Sequence, residues 1–167
     1  IDERLVIYKL NVQRALQLRN EFNKPGRTLD SFLVQSLGCV ELVTADSSEC
    51  PDIPSGCTIL KTKCTIPKTI ELHHKTAITK VGPVDKLSYF FSYIPYQQAP
   101  FSGEGKFSKN VVYAFLYEDR MYFKVTGTIA KFLTRVNIMG VFEDPTKVEE
   151  FCTTNGESCF SKDDQYP

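Results

Sequence analysis

The 167 residues, 42% hydrophobic and 24% charged, suit a single domain with a substantial core, since a chain of this size buries about 70% of the surface it exposes when unfolded. Twenty basic and twenty acidic side chains cancel, which excludes a global field for polyanions or anionic membranes and leaves nucleic-acid contact to local patches. No apolar run approaches the ~20 residues that cross a bilayer, and no basic start leads into an apolar stretch, so neither a membrane partner nor an export signal is expected.

In chain order, the first element is the most explicit. Leu5, Tyr8, Val12, Ala15 and Phe22 follow spacings of three and four interrupted by Arg19, with Leu10, Leu16 and Leu18 widening the stripe, so the spacing predicts a helix of about five turns. Asp2 and Glu3 stand where the positive end of a helix dipole favours anions, and Asn23-Lys24-Pro25-Gly26 supplies the stop. The apolar coverage exceeds what one core face requires, so one side is a candidate contact with a neighbouring subunit. Leu29 to Leu37 is expected to form a short helical turn capped by Asp30 and ended by Gly38.

From there the period changes. Cys39 to Thr44, Thr58 to Thr62, Lys68 to Leu72 and Thr76 to Val81 read as strands, with a Pro- and Gly-containing loop from Asp46 to Gly56. Leu87 to Tyr96 is an aromatic run. Val111 to Tyr117 and Met121 to Val125 flank the polar turn Glu118-Asp119-Arg120 and form the clearest hairpin. Phe132 to Phe142 is another strand candidate, closed by Glu143-Asp144-Pro145, and Val148 to Phe151 a helical turn. The fold class is therefore α+β: a long N-terminal helix (1–23), a mainly antiparallel β-rich core domain (24–145) and a polar C-terminal segment (146–167). Because it starts at Ile1 and finishes on the polar Tyr166-Pro167, the chain is read as a piece of a longer protein.

Chemistry is sparse. Six cysteines, at 39, 50, 57, 64, 152 and 159, would suit three disulfides in a secreted protein, but without an export signal thiols are the simpler expectation. Their spacing of seven is too wide for the tight pairs of a structural zinc site, so no metal or cofactor is expected. His73 and His74 would point to opposite faces of a strand, and no catalytic motif occurs, so no catalytic residue is assigned. The Ser102 to Lys109 loop falls short of a phosphate-binding motif, with Pro100 and Phe107 where Gly and Ser or Thr are required.

Taken in succession, several segments carry a resemblance. Asp2-Glu3-Arg4-Leu5 with Tyr8-Lys9-Leu10, Leu37-Gly38-Cys39-Val40, Gly56-Cys57-Thr58-Ile59-Leu60, Ile66-Pro67-Lys68-Thr69-Ile70-Glu71-Leu72, Ile94-Pro95-Tyr96 and Val136-Asn137-Ile138-Met139-Gly140-Val141-Phe142-Glu143-Asp144-Pro145 resemble a structural protein of crAss-like and related tailed bacteriophages. The resemblance implies a non-enzymatic head-to-tail connector, a neck subunit forming a ring (dodecameric by family analogy) around the DNA channel. Its implied partners are the portal protein, other neck or tail ring proteins and genomic DNA, in a virion assembled in the host bacterial cytoplasm. Candidate interface residues are Leu5, Tyr8, Val12, Tyr89, Tyr93, Tyr96 and Phe101, and candidate channel-facing cations are Lys106, Lys109 and Arg120. Replacing Tyr93 and Tyr96 by Ala is expected to weaken assembly and leave the monomer folded. The alternatives are a tail-associated receptor- or carbohydrate-binding module using the same aromatics, a cysteine hydrolase using a thiol with His73 or His74, and a zinc-stabilised connector.

Overall fold

The computed structural model describes residues 2–46, 58–73, 75–84, 90–103, 105, 111–125 and 129–153. Helix α1 spans Glu3–Phe22, with the Asp2 carboxylate, expected only as an anion at the helix dipole, also capping it by accepting a bond from the Arg4 N–H at 3.1 Å. A 3-10 turn, Ser31–Leu33, is capped in the same way by Asp30. It leads directly into strand β1 (Gln35–Thr44), so Gly38 lies inside a strand and does not end a helix. Leu37 pairs with Ile138 and Val40 with Val136, leaving Gly38 and Cys39 opposite Asn137 alone, the extra residue of a β-bulge.

Strands β2 (Thr58–Thr62), β3 (Ile78–Pro83) and the two-residue β4 (Ser92–Tyr93) follow, then a 3-10 segment at Tyr96–Phe101. Of the described residues of the aromatic run only Ser92 and Tyr93 are strand, and beyond them Pro95 and Pro100 withhold the N–H groups that a ladder needs. The hairpin is β5 (Tyr113–Tyr117) and β6 (Arg120–Val125), closed by Glu118 and Asp119, with Glu118 in the left-handed region at φ 52°. After the short α2 (Ile129–Phe132) come β7 (Arg135–Gly140) and α3 (Pro145–Thr153). Asp144 caps α3 by accepting from the Thr146 N–H, and Pro145 occupies the first helical position, where a missing donor does no harm. Lys68 to Leu72 is no strand: among the described residues it makes a single bridge, Thr69 to Phe142.

The chain is broadly α+β, as expected, but its seven-stranded sheet is mixed and not purely antiparallel, since β4 joins β5 in parallel. Its order is β3-β7-β1-β2-β6-β5-β4, and it curls until the two edges meet, where the Phe91 N–H donates to Val81 O at 2.7 Å. Strand β1 allows the curl. Its first half pairs with β7 and its second with β2, and the bulge between Leu37 and Val40 bends it.

Alternation along the strands then sorts side chains inward and outward. Met121, Phe123 and Val125 of β6 join Val136 and Ile138 of β7, Val40 of β1 and Phe142 in one core inside the curl, sealed by Val148 and Phe151 of α3. Gly140 permits this closure: a Cβ there would stand 2.9 Å from Ala77 O, the carbonyl that receives the Val141 N–H. Cys64, also in this core, is disulfide-bonded, so the expectation of free thiols, which rested on the lack of a visible export signal, fails at that position.

Candidate interaction surface

Two regions outside the core carry the residues singled out by sequence. The first is α1. Only its C-terminal half is anchored: Ala15 and Leu18 pack with Ile70, Ala77 and Val141, and Phe22 is buried. The Arg14 guanidinium donates to Phe142 O (2.9 Å) and Glu143 O (3.2 Å), just past β7, and Lys75 Nζ reaches Phe22 O at 3.1 Å. Toward its N-terminus the helix carries exposed apolar side chains among the polar Glu3, Arg4, Lys9, Asn11 and Gln13. Leu5, Tyr8, Val12 and Leu16 are 41%, 52%, 38% and 45% exposed. At about 100° per residue these four fall within an arc of about 80°, a stripe about 16 Å long, turned about 90° from the face that Ala15, Leu18 and Phe22 present to the sheet. Val6, Ile7 and Leu10 are exposed on the remaining sides.

The second region is the outer face of β5 and β6. Alternation puts Phe115, Tyr117 and Tyr122 outward, where a solvated hairpin would carry polar residues. The 3-10 segment covers them. Tyr96 stacks on Tyr117 with centroids 4.6 Å apart and lies 6.0 Å from Phe115, which stacks on Tyr122 at 5.7 Å. Tyr93 is half-buried against the main core, and burial pushes its phenol above the usual range, opposed by a hydrogen bond with Thr76. Both tyrosines therefore have packing roles within their own chain, so their replacement by Ala is expected to cost folding stability and not assembly alone. Phe101 differs: it ends the segment at 80% exposure.

Beneath the segment sits a residue that the sequence reading passed over as one polar position in a strand. Lys124 is only 2% exposed, and its ammonium donates to Ser102 O at 2.6 Å and Ala99 O at 3.3 Å. Burying an ammonium is costly unless its donors are satisfied, and here they are satisfied by the carbonyls at the end of the 3-10 segment. The signal for a covered face was present in the outward aromatics of the hairpin; Lys124 itself carried none.

The remaining predicted positions are not brought together. Tyr89, His74, Lys106 and Lys109 lie outside the described residues. Arg120 donates to Thr62 O (3.1 Å) and Lys63 O (2.8 Å), tying β6 to the end of β2. His73 is exposed, with its backbone N–H bonded to the Asn23 side chain. Cys64, disulfide-bonded, offers no thiolate nucleophile. Among the described residues no cluster of three or more His, Cys, Asp or Glu forms a metal site, and no helix is long and apolar enough to cross a membrane. Among the described residues the predicted site positions form no single cluster, and exposed apolar side chains stand on α1 and at Phe101.

Comparison with known proteins agrees with that character. A family model described as phage tail ring protein 2 matches residues 1–167. Ring protein 2 of Bacteroides phage crAss001 is 25% identical over 169 residues, an alignment covering 97% of this chain and 71% of that protein.

Proposed function

The chain belongs to the phage tail ring protein 2 family, a family of bacteriophage virion structural proteins, and from that premise we propose that it is one subunit of a closed ring in the neck, between portal and tail. The observation that carries the reading is the exposed apolar stripe of α1. A helix anchored toward one end and carrying exposed apolar side chains toward the other supports a contact with another protein. In a ring that partner is the next copy, and a dodecamer is the proposed copy number.

The work is mechanical. Each interface buries apolar surface, and repetition around the ring holds the neck closed on its DNA channel without a covalent step. Lys106 and Lys109 are the proposed contacts to DNA phosphates, which would position the channel through charge without reading sequence. Arg120 is the third proposed contact, its guanidinium also tying β6 to the end of β2.

Imaging of virions tests the proposal. Wild-type particles are expected to carry a closed ring of this chain on the tail axis next to the portal vertex, and particles made with Leu5→Glu, Val12→Glu and Leu16→Glu together are expected to lack it. Density for the chain on the head shell or at the distal tail tip would sink the neck reading. An intact ring in the triple variant would remove α1 from the interface.

A further inference from the structure

A ring needs two different patches on every subunit, one for each neighbour. We propose that the ledge formed by Tyr96–Phe101, with Phe101 as its projecting anchor and Lys124 as its support, is the surface that receives the α1 stripe of the next copy; this rests on the ring reading above.

The first ground is position. Helix α1 is fastened to residues at the β7 and β3 flank: Phe142 and Glu143 follow β7, and Ala77 precedes β3. The ledge lies over β5 and β6. In the order β3-β7-β1-β2-β6-β5-β4, with its edges joined through Phe91 and Val81, β7 and β5 stand on opposite flanks of the curled sheet. Patches on opposite flanks are what head-to-tail closure requires, whereas two patches on one flank would favour a two-fold pair.

The second ground is chemistry. The stripe is apolar, and the ledge residues Tyr96, Gln97, Gln98, Ala99, Pro100 and Phe101 are uncharged, so their contact desolvates no unpaired charge. Other exposed rings fit less well: Phe132 ends α2, which leads into β7 on the stripe's own flank. Phe32 sits on the 3-10 turn whose Leu33 packs beside the foot of α1, on the same flank as the stripe. Phe90 already has the Lys80 ammonium 4.7 Å above its ring.

The third ground is construction. Ala99 O accepts from the Ser102 N–H (3.4 Å), the Ser102 hydroxyl (2.8 Å) and Lys124 Nζ, and Gly103 turns the chain back at φ 83°. A sheet needs no buried lysine for its own core. This one fixes the turn that holds Phe101 outward, and a pre-set aromatic anchor is the form that interface hot spots take, because its ordering cost is met in the free subunit.

Photo-crosslinking in assembled particles tests the pairing. With Phe101→benzoylphenylalanine, irradiation is expected to give a product of twice the chain mass whose linked peptide lies in residues 5–16. The same probe at Phe32 is expected not to give it. A product joined to any other segment, or to a different virion protein, would overturn the pairing while leaving the ring itself standing; particles with no ring in images would remove both. Adding Lys124→Met is expected to cut the 5–16 product severalfold while the subunit stays folded and the ring still forms, and an unaltered yield would remove Lys124 as a positioning residue.

Discussion

The inside of the curled sheet and the exposed stripe of α1 both contain large apolar side chains and treat them in opposite ways. Phe123, Met121, Val136 and Ile138 are wholly covered by their own chain, while Leu5, Val12 and Leu16 are left in solvent. Hydrophobicity does not separate the two regions; closure does. The sheet closes on itself because a bulge bends β1, a glycine at 140 lets β3 approach and two edge strands meet, so its apolar residues find partners by folding. Helix α1 is fastened at its foot by Arg14, Ala15, Leu18 and Phe22, and in the reading proposed above the apolar residues nearer its N-terminus are partnered by assembly.

The sharpest way to break this contrast is to compare substitutions in the two regions. Phe123→Ala opens a void at the centre of the core and is expected to destabilise the fold by about 3–5 kcal/mol, read by denaturant unfolding. The charged α1 substitutions proposed above should change stability by only about 0.5 kcal/mol each, since exposed sites away from caps and cores seldom do more. If α1 substitutions unfolded the subunit as Phe123→Ala does, the division between a folding region and an assembly region would be wrong.

Tyr96 lies between the extremes and sharpens the contrast. Its ring is stacked on Tyr117 yet belongs to the ledge that carries Phe101. Tyr96→Ala is expected to cost about 2 kcal/mol of folding stability. A melting temperature unchanged within a degree would return Tyr96 to the role first expected of it, a contact made only on assembly.

How far these regions were legible follows from how local their causes are. Helix α1, the Asp30 cap and the β5–β6 hairpin each arise from residues within a few positions of one another, and the sequence displays them directly. Closure of the sheet arises from Phe91 meeting Val81 and from β4, two residues long, pairing with β5 across some twenty positions of chain, and no periodicity announces either. The aromatic run was legible as an unusual surface but not as two surfaces. That Tyr96 turns in and Phe101 out depends on the hairpin beneath them and on Lys124, more than twenty residues away. For the family, the succession of short segments was more informative than any of them alone, and the match across residues 1–167 has the same distributed character.

The smallest expected effect concerns the joint at which β1 passes from β7 to β2. There the Glu41 carboxylate accepts a hydrogen bond from Lys63 Nζ at 3.1 Å and pairs with Arg135 at 3.3 Å. The Lys63 hydrogen bond, then its charge, hold the carboxyl below the usual glutamate range, with Arg135 adding to them and partial burial opposing. A carboxyl whose folded pKa lies below its unfolded one contributes stability that is fully present above the unfolded value and is lost as pH falls through the folded one. Wild-type melting temperature should therefore decline slightly on acidification below the usual glutamate range, and Glu41→Gln should remove that component, so the two curves converge in acid. The group is exposed, so the difference should shrink further in high salt. Curves that stay parallel at every pH would show that the sheet holds its bend at β1 by backbone pairing alone, leaving Glu41 a bystander at the joint.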